Sequence, residues 1–162
     1  MGFFDRFKKK ETGMELKAYV SGKVIPMSEV ADEVFSSGAL GKGLAIIPEN
    51  GQLTAPCAGE ITMLMEDSGH AIGMKAENNA ELLIHVGLDT VTLGGEGFHL
   101  LVKQGDKVAA GAPLQTFDLE LIQAKGLDTT CVLVNTNPDD FPSASYTTGM
   151  HAIQNETVIG KL

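Results

Sequence analysis

The sequence predicts an all-β protein, an antiparallel β-sandwich or barrel–sandwich hybrid with one or two short helices. Three observations predict it. Short aliphatic runs recur along the chain, and turn signals separate them at intervals of about eight to twelve residues, a sandwich-like rhythm. Nineteen glycines among 162 residues, with no tryptophan, favour many turns over long helices.

The runs follow one another as Leu44–Ile47, the alternating stretch from Ile61 to Met65, Leu82–Val86, Leu100–Val102, Cys131–Val134 and Val158–Ile159. In the second, period 2 places Ile61, Met63 and Met65 on one face, with Thr62 and Leu64 on the other. Turns are expected at Glu49–Gly51, Asp67–Gly69, Asn78–Asn79, Gly94–Gly95, Gln104–Asp106 and Asn137–Asp140. Two helices are expected. Ser28–Phe35 carries Val30 and Val34 four apart, and Leu119–Lys125 follows an N-capping Asp118 and stops at Gly126. Ala18-x-x-x-Gly22-x-Val24 is echoed by Ala55-x-x-x-Gly59-x-Ile61, which suggests two pseudo-symmetric strands.

Length and composition fit one domain, 16–162, preceded by a flexible basic, Phe-rich segment, 1–15. No run approaches the ~20 apolar residues of a membrane span. A net charge of −9 disfavours nucleic acid and favours a basic protein surface as partner. Cys57 and Cys131, without Cys-x-x-Cys spacing, read as buried thiols in a reducing cytoplasm. No signal peptide is legible in the first ten residues, which supports a cytoplasmic location. In that segment Phe3, Phe4 and Phe7 alternate with Arg6 and Lys8–Lys10, so residues 1–10 could lie against an anionic membrane surface or serve only as a solubilising tail.

The polar residue least explained by packing is His85, within the aliphatic run Glu81-Leu-Leu-Ile-His85-Val-Gly87-Leu88. Burial there keeps an imidazole neutral near pH 7, with one ring nitrogen free as a nucleophile. His70 lies fifteen residues earlier, with a turn between, a spacing at which adjacent antiparallel strands bring two imidazoles together. Such a pair could hold a metal, act as base and acid, or carry and steady a phosphoryl group. His99 and His151 read as surface residues. A dedicated zinc hydrolase lacks a third ligand in suitable spacing, though two imidazoles could take zinc with a ligand from a partner. There is no Gly-x-Ser-x-Gly elbow, and Gly38–Gly43 lacks P-loop spacing. Val102–Leu114 is similar to the strand–turn–strand of biotinyl and lipoyl carrier domains, but no lysine stands where their swinging arm would be.

Leu82-Leu-Ile-His85-Val-Gly87-Leu-Asp89-Thr90-Val91, followed by Gly95-Glu-Gly-Phe98, resembles the glucose-type enzyme IIA proteins of the bacterial phosphoenolpyruvate–sugar phosphotransferase system. Val34-Phe35, Gly41-x-Gly43-x-Ala-Ile, Ala55-Pro56-x-x-Gly59, Ser68-x-His70-Ala and Phe117-Asp-Leu119 follow the order of that family. The resemblance implies an antiparallel β-sandwich that accepts a phosphoryl group from the phosphocarrier HPr and passes it to the IIB domain of a sugar permease, with no cofactor required. It implies His85 as phosphoacceptor, His70 as the neighbour that hydrogen-bonds the phosphate, and Gly87 as the carbonyl fixing the His85 tautomer. Ser68, where the family usually has Thr, would orient His70. Asp32 and Asp89 would meet an arginine of HPr, and Phe35 belongs to the apolar rim. Asn79 stands where the family often has Gly, and asparagine too tolerates positive φ. On this basis Leu82, Ile84, Val86 and Leu88 are expected to form an apolar collar that limits water access to His85. A regulatory module whose histidines are structural or bind zinc is the alternative.

Overall fold

Residues 13–162 are described by the computed structural model. The expectations for residues 1–10, and most of those for 1–15, fall outside the described residues. Met14 and Glu15 already pair with the C-terminus, Met14 through its amide and the Leu162 carbonyl and Glu15 across from Lys161.

Fourteen short strands and two short helices make up the described chain. The strands are β1 (Glu15–Lys17), β2 (Gly22–Pro26), β3 (Lys42–Pro48), β4 (Gln52–Thr54), β5 (Gly59–Leu64), β6 (Ala71–Ala76) and β7 (Glu81–Val86). After them come β8 (Phe98–Leu100), β9 (Lys107–Val108), β10 (Pro113–Phe117), β11 (Cys131–Asn135), β12 (Ser145–Tyr146), β13 (His151–Ala152) and β14 (Val158–Lys161). Helix α1 is Glu33–Ser36 and α2 is Leu119–Ala124. An eight-stranded sheet, ordered β13-β2-β3-β11-β7-β6-β5-β9, packs with two three-stranded sheets, β1-β14-β12 and β4-β10-β8. The described pairings are antiparallel, and the large sheet keeps two edges rather than closing into a barrel. The all-β sandwich reading holds.

Strand alternation divides the apolar residues between two cores. Val24, Leu44, Ile46, Leu133, Ile84 and Val86 face inward, into the large core that also takes Tyr19, Leu53, Ile61, Leu114 and Ile122. Their neighbours Ile25, Ala45, Val132, Val134 and Leu83 face outward. There they form a second, smaller core with Val30, Phe35 and Leu88, roofed by the segment that holds α1. Both thiols are buried and unpaired, and burial pushes each up to about 12, so neither is reactive at neutral pH.

Two local expectations are corrected. Ser28–Phe35 is not one helix: a 3₁₀ turn, Met27–Glu29, and the four-residue α1 share it. Val30 is buried and Val34 half exposed, because Asp32 is extended and caps a new helix by accepting the Val34 amide at 2.9 Å. In β5 the predicted alternation breaks at a bulge between Ile61 and Met63, which places Ile61 opposite Met74 but Met63 opposite Gly73. Leu64 thereby joins the core side and Met65 is left exposed. Helix α2 forms as expected, capped by Asp118 on the Leu121 amide at 3.0 Å and followed by Gly126 at φ +73°. The two echoed glycines open β2 and β5, and each lies where a Cβ would strike a neighbouring strand's carbonyl, that of Ile47 at 1.9 Å or Lys75 at 2.4 Å.

Candidate active site

The outer face of the large sheet carries one continuous row across five strands: Ile25, Ala45, Val132, His85 and Ala71. His85 is the polar member of that row. The aliphatic strand around it buries Leu82, Ile84 and Val86 on the opposite face, where they anchor β7 to the main core. They are therefore not the collar expected around the ring. The apolar surroundings of His85 come from its own face: Val132 beside it in register, Leu83, Leu88 and the ring of Phe35. Phe35 meets the imidazole edge-on, with centroids 5.0 Å apart.

The turn after β7 fixes the orientation of His85. Gly87 (φ +74°) and Asp89 (φ +60°) both take left-handed backbone, and the curl returns the Gly87 carbonyl to His85 Nδ1 at 2.8 Å. A carbonyl can only accept, so Nδ1 carries the proton and the neutral ring keeps its lone pair on Nε2. No larger residue fits at Gly87, since a Cβ would lie 2.4 Å from Thr90 Cγ2. Thr90, fully buried, donates its hydroxyl to the Val86 carbonyl at 2.6 Å and so closes the turn. Sequence reading did not single out Thr90, whose only signal was its place in the motif Gly87-Leu-Asp-Thr90.

His70 reaches the same place from the neighbouring strand. It immediately precedes β6, whose first residue, Ala71, is paired with His85. The two imidazoles stand 4.8 Å apart between centroids, at 80° to each other. Ser68 Oγ lies 2.6 Å from His70 Nδ1. When the hydroxyl donates, the proton of His70 resides on Nε2 and makes it a hydrogen-bond donor. The Asp67–Gly69 turn is confined by the run Gly95–Phe98: a Cβ on Gly95 would meet the Asp67 carbonyl at 2.6 Å, and one on Gly69 would meet Phe98 Cβ at 2.7 Å. Gln115 of β10, buried at 1% exposure, donates its side-chain amide to the Gly69 carbonyl.

Burial favours the neutral form of both rings. Burial lowers the His70 pKa below its ordinary 6.5. For His85 burial is the largest cause, followed by repulsion from a charged His70, and these outweigh the opposing pull of the Gly87 carbonyl, Asp32 and Asp89. Asp32 and Asp89 line an open cleft of about 500 Å³ beside the site, together with Glu33 and Asp128. Asp89 is exposed and Asp32 half-buried at its capping position. Ser68, His70, His85, Gly87, Asp32, Asp89 and Phe35 thus gather in one region. His99 and His151 are exposed, and His151 is paired with Glu49. Among the described residues no cluster of three histidine, cysteine or acidic side chains could hold a metal.

Two oriented imidazoles thus stand side by side on one face of a β-sandwich. The chain belongs to the family described as phosphoenolpyruvate-dependent sugar phosphotransferase system, EIIA 1, whose model matches residues 14–141. It is a phosphotransferase component, a phosphoryl carrier of that system. A glucose-specific EIIA component of Oceanobacillus iheyensis is 41% identical over 141 residues, covering 85% of each chain. The β-glucoside-specific EIIBCA component of Bacillus subtilis is 48% identical over 122 residues, 75% of this chain but 20% of that protein. The glucose permease IIA of Mycoplasma capricolum superposes with a TM-score of 0.79 at 31% identity, over 91% of this chain and 94% of that one.

Proposed function

We propose that His85 is the phosphoacceptor and that His70 steadies the phosphoryl group it carries. The observation that supports this most directly is the Gly87 carbonyl on His85 Nδ1, which leaves Nε2 as the free nucleophile beside a second imidazole. Phosphoryl transfer asks for positioning and charge stabilisation more than for covalent chemistry. The His85 Nε2 lone pair forms the new N–P bond as the donor's bond to phosphorus breaks, and that electron pair returns to the donor's leaving group. His70 Nε2–H, set by Ser68, donates to a phosphoryl oxygen. Phe35, Leu83, Leu88 and Val132 hold the imidazole in apolar surroundings, which disfavours attack by water.

The donor in this proposal is phospho-HPr, and the acceptor is the IIB domain of a sugar permease, met in the cytoplasm. The name of the B. subtilis relative joins B, C and A components, which supports a IIB partner. Asp32 and Asp89 offer carboxylates at the cleft mouth to a basic donor. Residues 1–10 would add contact with an anionic membrane, tested by vesicle binding after their deletion; unchanged binding would overturn it. The chemistry requires no cofactor. The two imidazoles would also suit zinc if a partner supplied a further ligand, as in a regulatory module. Incubation with phosphoenolpyruvate, enzyme I and HPr tests the main proposal: His85→Ala should take no label, and His70→Ala should accept but fail to pass the group on. Wild-type behaviour of His70→Ala in both steps would overturn the two-histidine mechanism.

A further inference from the structure

We propose that Gln115 is a positioning residue for His70: from the opposite sheet, its side-chain amide clamps the Gly69 carbonyl and so fixes the Ser68–Gly69–His70 turn against His85. The proposal rests on the reading of His70 as the group that steadies the phosphoryl.

The first support is cost. Gln115 lies on β10 at 1% exposure, between Leu100 and Leu53 on the adjoining strands. Its Nε2 donates to the Gly69 carbonyl, but its Oε1 is buried without a hydrogen-bond partner. An aliphatic residue there would leave the buried Gly69 carbonyl without its donor, so this glutamine leaves its own Oε1 unpaired while satisfying a backbone acceptor of the site turn.

The second is where that bond acts. Gly69 takes left-handed backbone at φ +66°, and its amide donates to the Met65 carbonyl at 2.6 Å. Phe98 fills the space a side chain at Gly69 would need, 2.7 Å from an added Cβ. With the carbonyl held by Gln115, both the N–H and the C=O of Gly69 are tied by hydrogen bonds. Ser68 and His70 flank this residue, so the Ser68 Oγ–His70 Nδ1 bond of 2.6 Å rests on a backbone tied at both the N–H and the C=O of Gly69. The small sheet β4-β10-β8 thereby supports a site on the outer face of the large one.

The test is Gln115→Met, which keeps the shape and removes the donor, with ring ¹⁵N spectra of all four histidines and onward transfer of the phosphoryl group as readouts. The His70 ring signals are expected to shift, with those of the distant His151 unmoved, and onward transfer to slow by about tenfold, less than the ~100-fold that a 1 Å misplacement can cost. A lower melting temperature with His70 signals and transfer rate as in wild type would make Gln115 a structural residue and overturn the proposal. If the variant fails to fold, the through-hydrogen-bond coupling between the Gln115 side-chain amide and the Gly69 carbonyl in the wild-type protein decides instead, and its absence overturns the clamp. A wild-type protein that takes up no phosphoryl group would refute the carrier reading, while the His70 spectra would still report on the clamp.

Discussion

The backbone carbonyl of His70 accepts the amide of Val86 at 2.7 Å, so the two histidine segments are joined by one hydrogen bond of the sheet ladder. The separation of the imidazoles is therefore fixed by β-pairing, and each ring is then oriented by its own Nδ1 partner, Ser68 for His70 and Gly87 for His85.

Gly87→Ala tests the tautomer lock. Alanine at φ +74° is strained and its Cβ would collide with Thr90. Stability should fall by at least about 1 kcal/mol in denaturant unfolding. Ring ¹⁵N shifts should show His85 as a mixture of tautomers, and phosphoryl uptake should slow.

Ser68→Ala removes the only hydrogen-bond partner of His70 Nδ1 among the described residues. Onward transfer is expected to slow by about tenfold, and Ser68→Thr, which keeps the hydroxyl, should restore it. Single-turnover transfer kinetics would distinguish this from a general loss of fold.

Phe35→Ala should cost about 3 kcal/mol, the usual range for deleting a buried phenyl ring, since Phe35 is 3% exposed in the outer core. It should also shorten the lifetime of the phosphorylated protein by admitting water to His85. Chemical denaturation and the rate of phosphate release measure the two effects separately.

The pH dependence of stability has a definite sign. Both site histidines have folded-state pKa values below their ordinary 6.5, so the unfolded chain binds more protons and stability rises with pH. The contribution is intact above about pH 6.5 and is lost as pH falls through the folded values. Melting temperatures between pH 7.5 and 5 should decline, and less steeply in a His70→Asn, His85→Asn double variant.

Asp32→Asn and Asp89→Asn should each weaken docking of HPr by about 1 kcal/mol at low salt, mainly through the association rate, and the difference should shrink as salt rises. Titration calorimetry and stopped-flow mixing at two salt concentrations would show it.

Much of this was legible in the sequence, for identifiable reasons. The short aliphatic run Leu82–Val86 put His85 on a strand, and the Asn78–Asn79 turn brought His70 alongside. Asp118 and Gly126 marked the ends of α2 because capping is a local interaction. Tertiary effects were hidden. Alternation does not reveal which face becomes the main core, so Leu82, Ile84 and Val86 were read as a collar although they anchor the far side. A bulge in β5 leaves no mark in a run such as Ile61–Met65. Nothing in the sequence marks Gln115, because its role depends on a turn 46 residues away.

The most direct test is the intact mass of the protein after incubation with phosphoenolpyruvate, enzyme I and HPr, measured at neutral and at acid pH. One added phosphate that is lost in acid and maps to His85 is the expected result. No added mass, with HPr itself shown to be phosphorylated, or a phosphate on His70 in its place, would contradict the assignment of His85 as the phosphoacceptor.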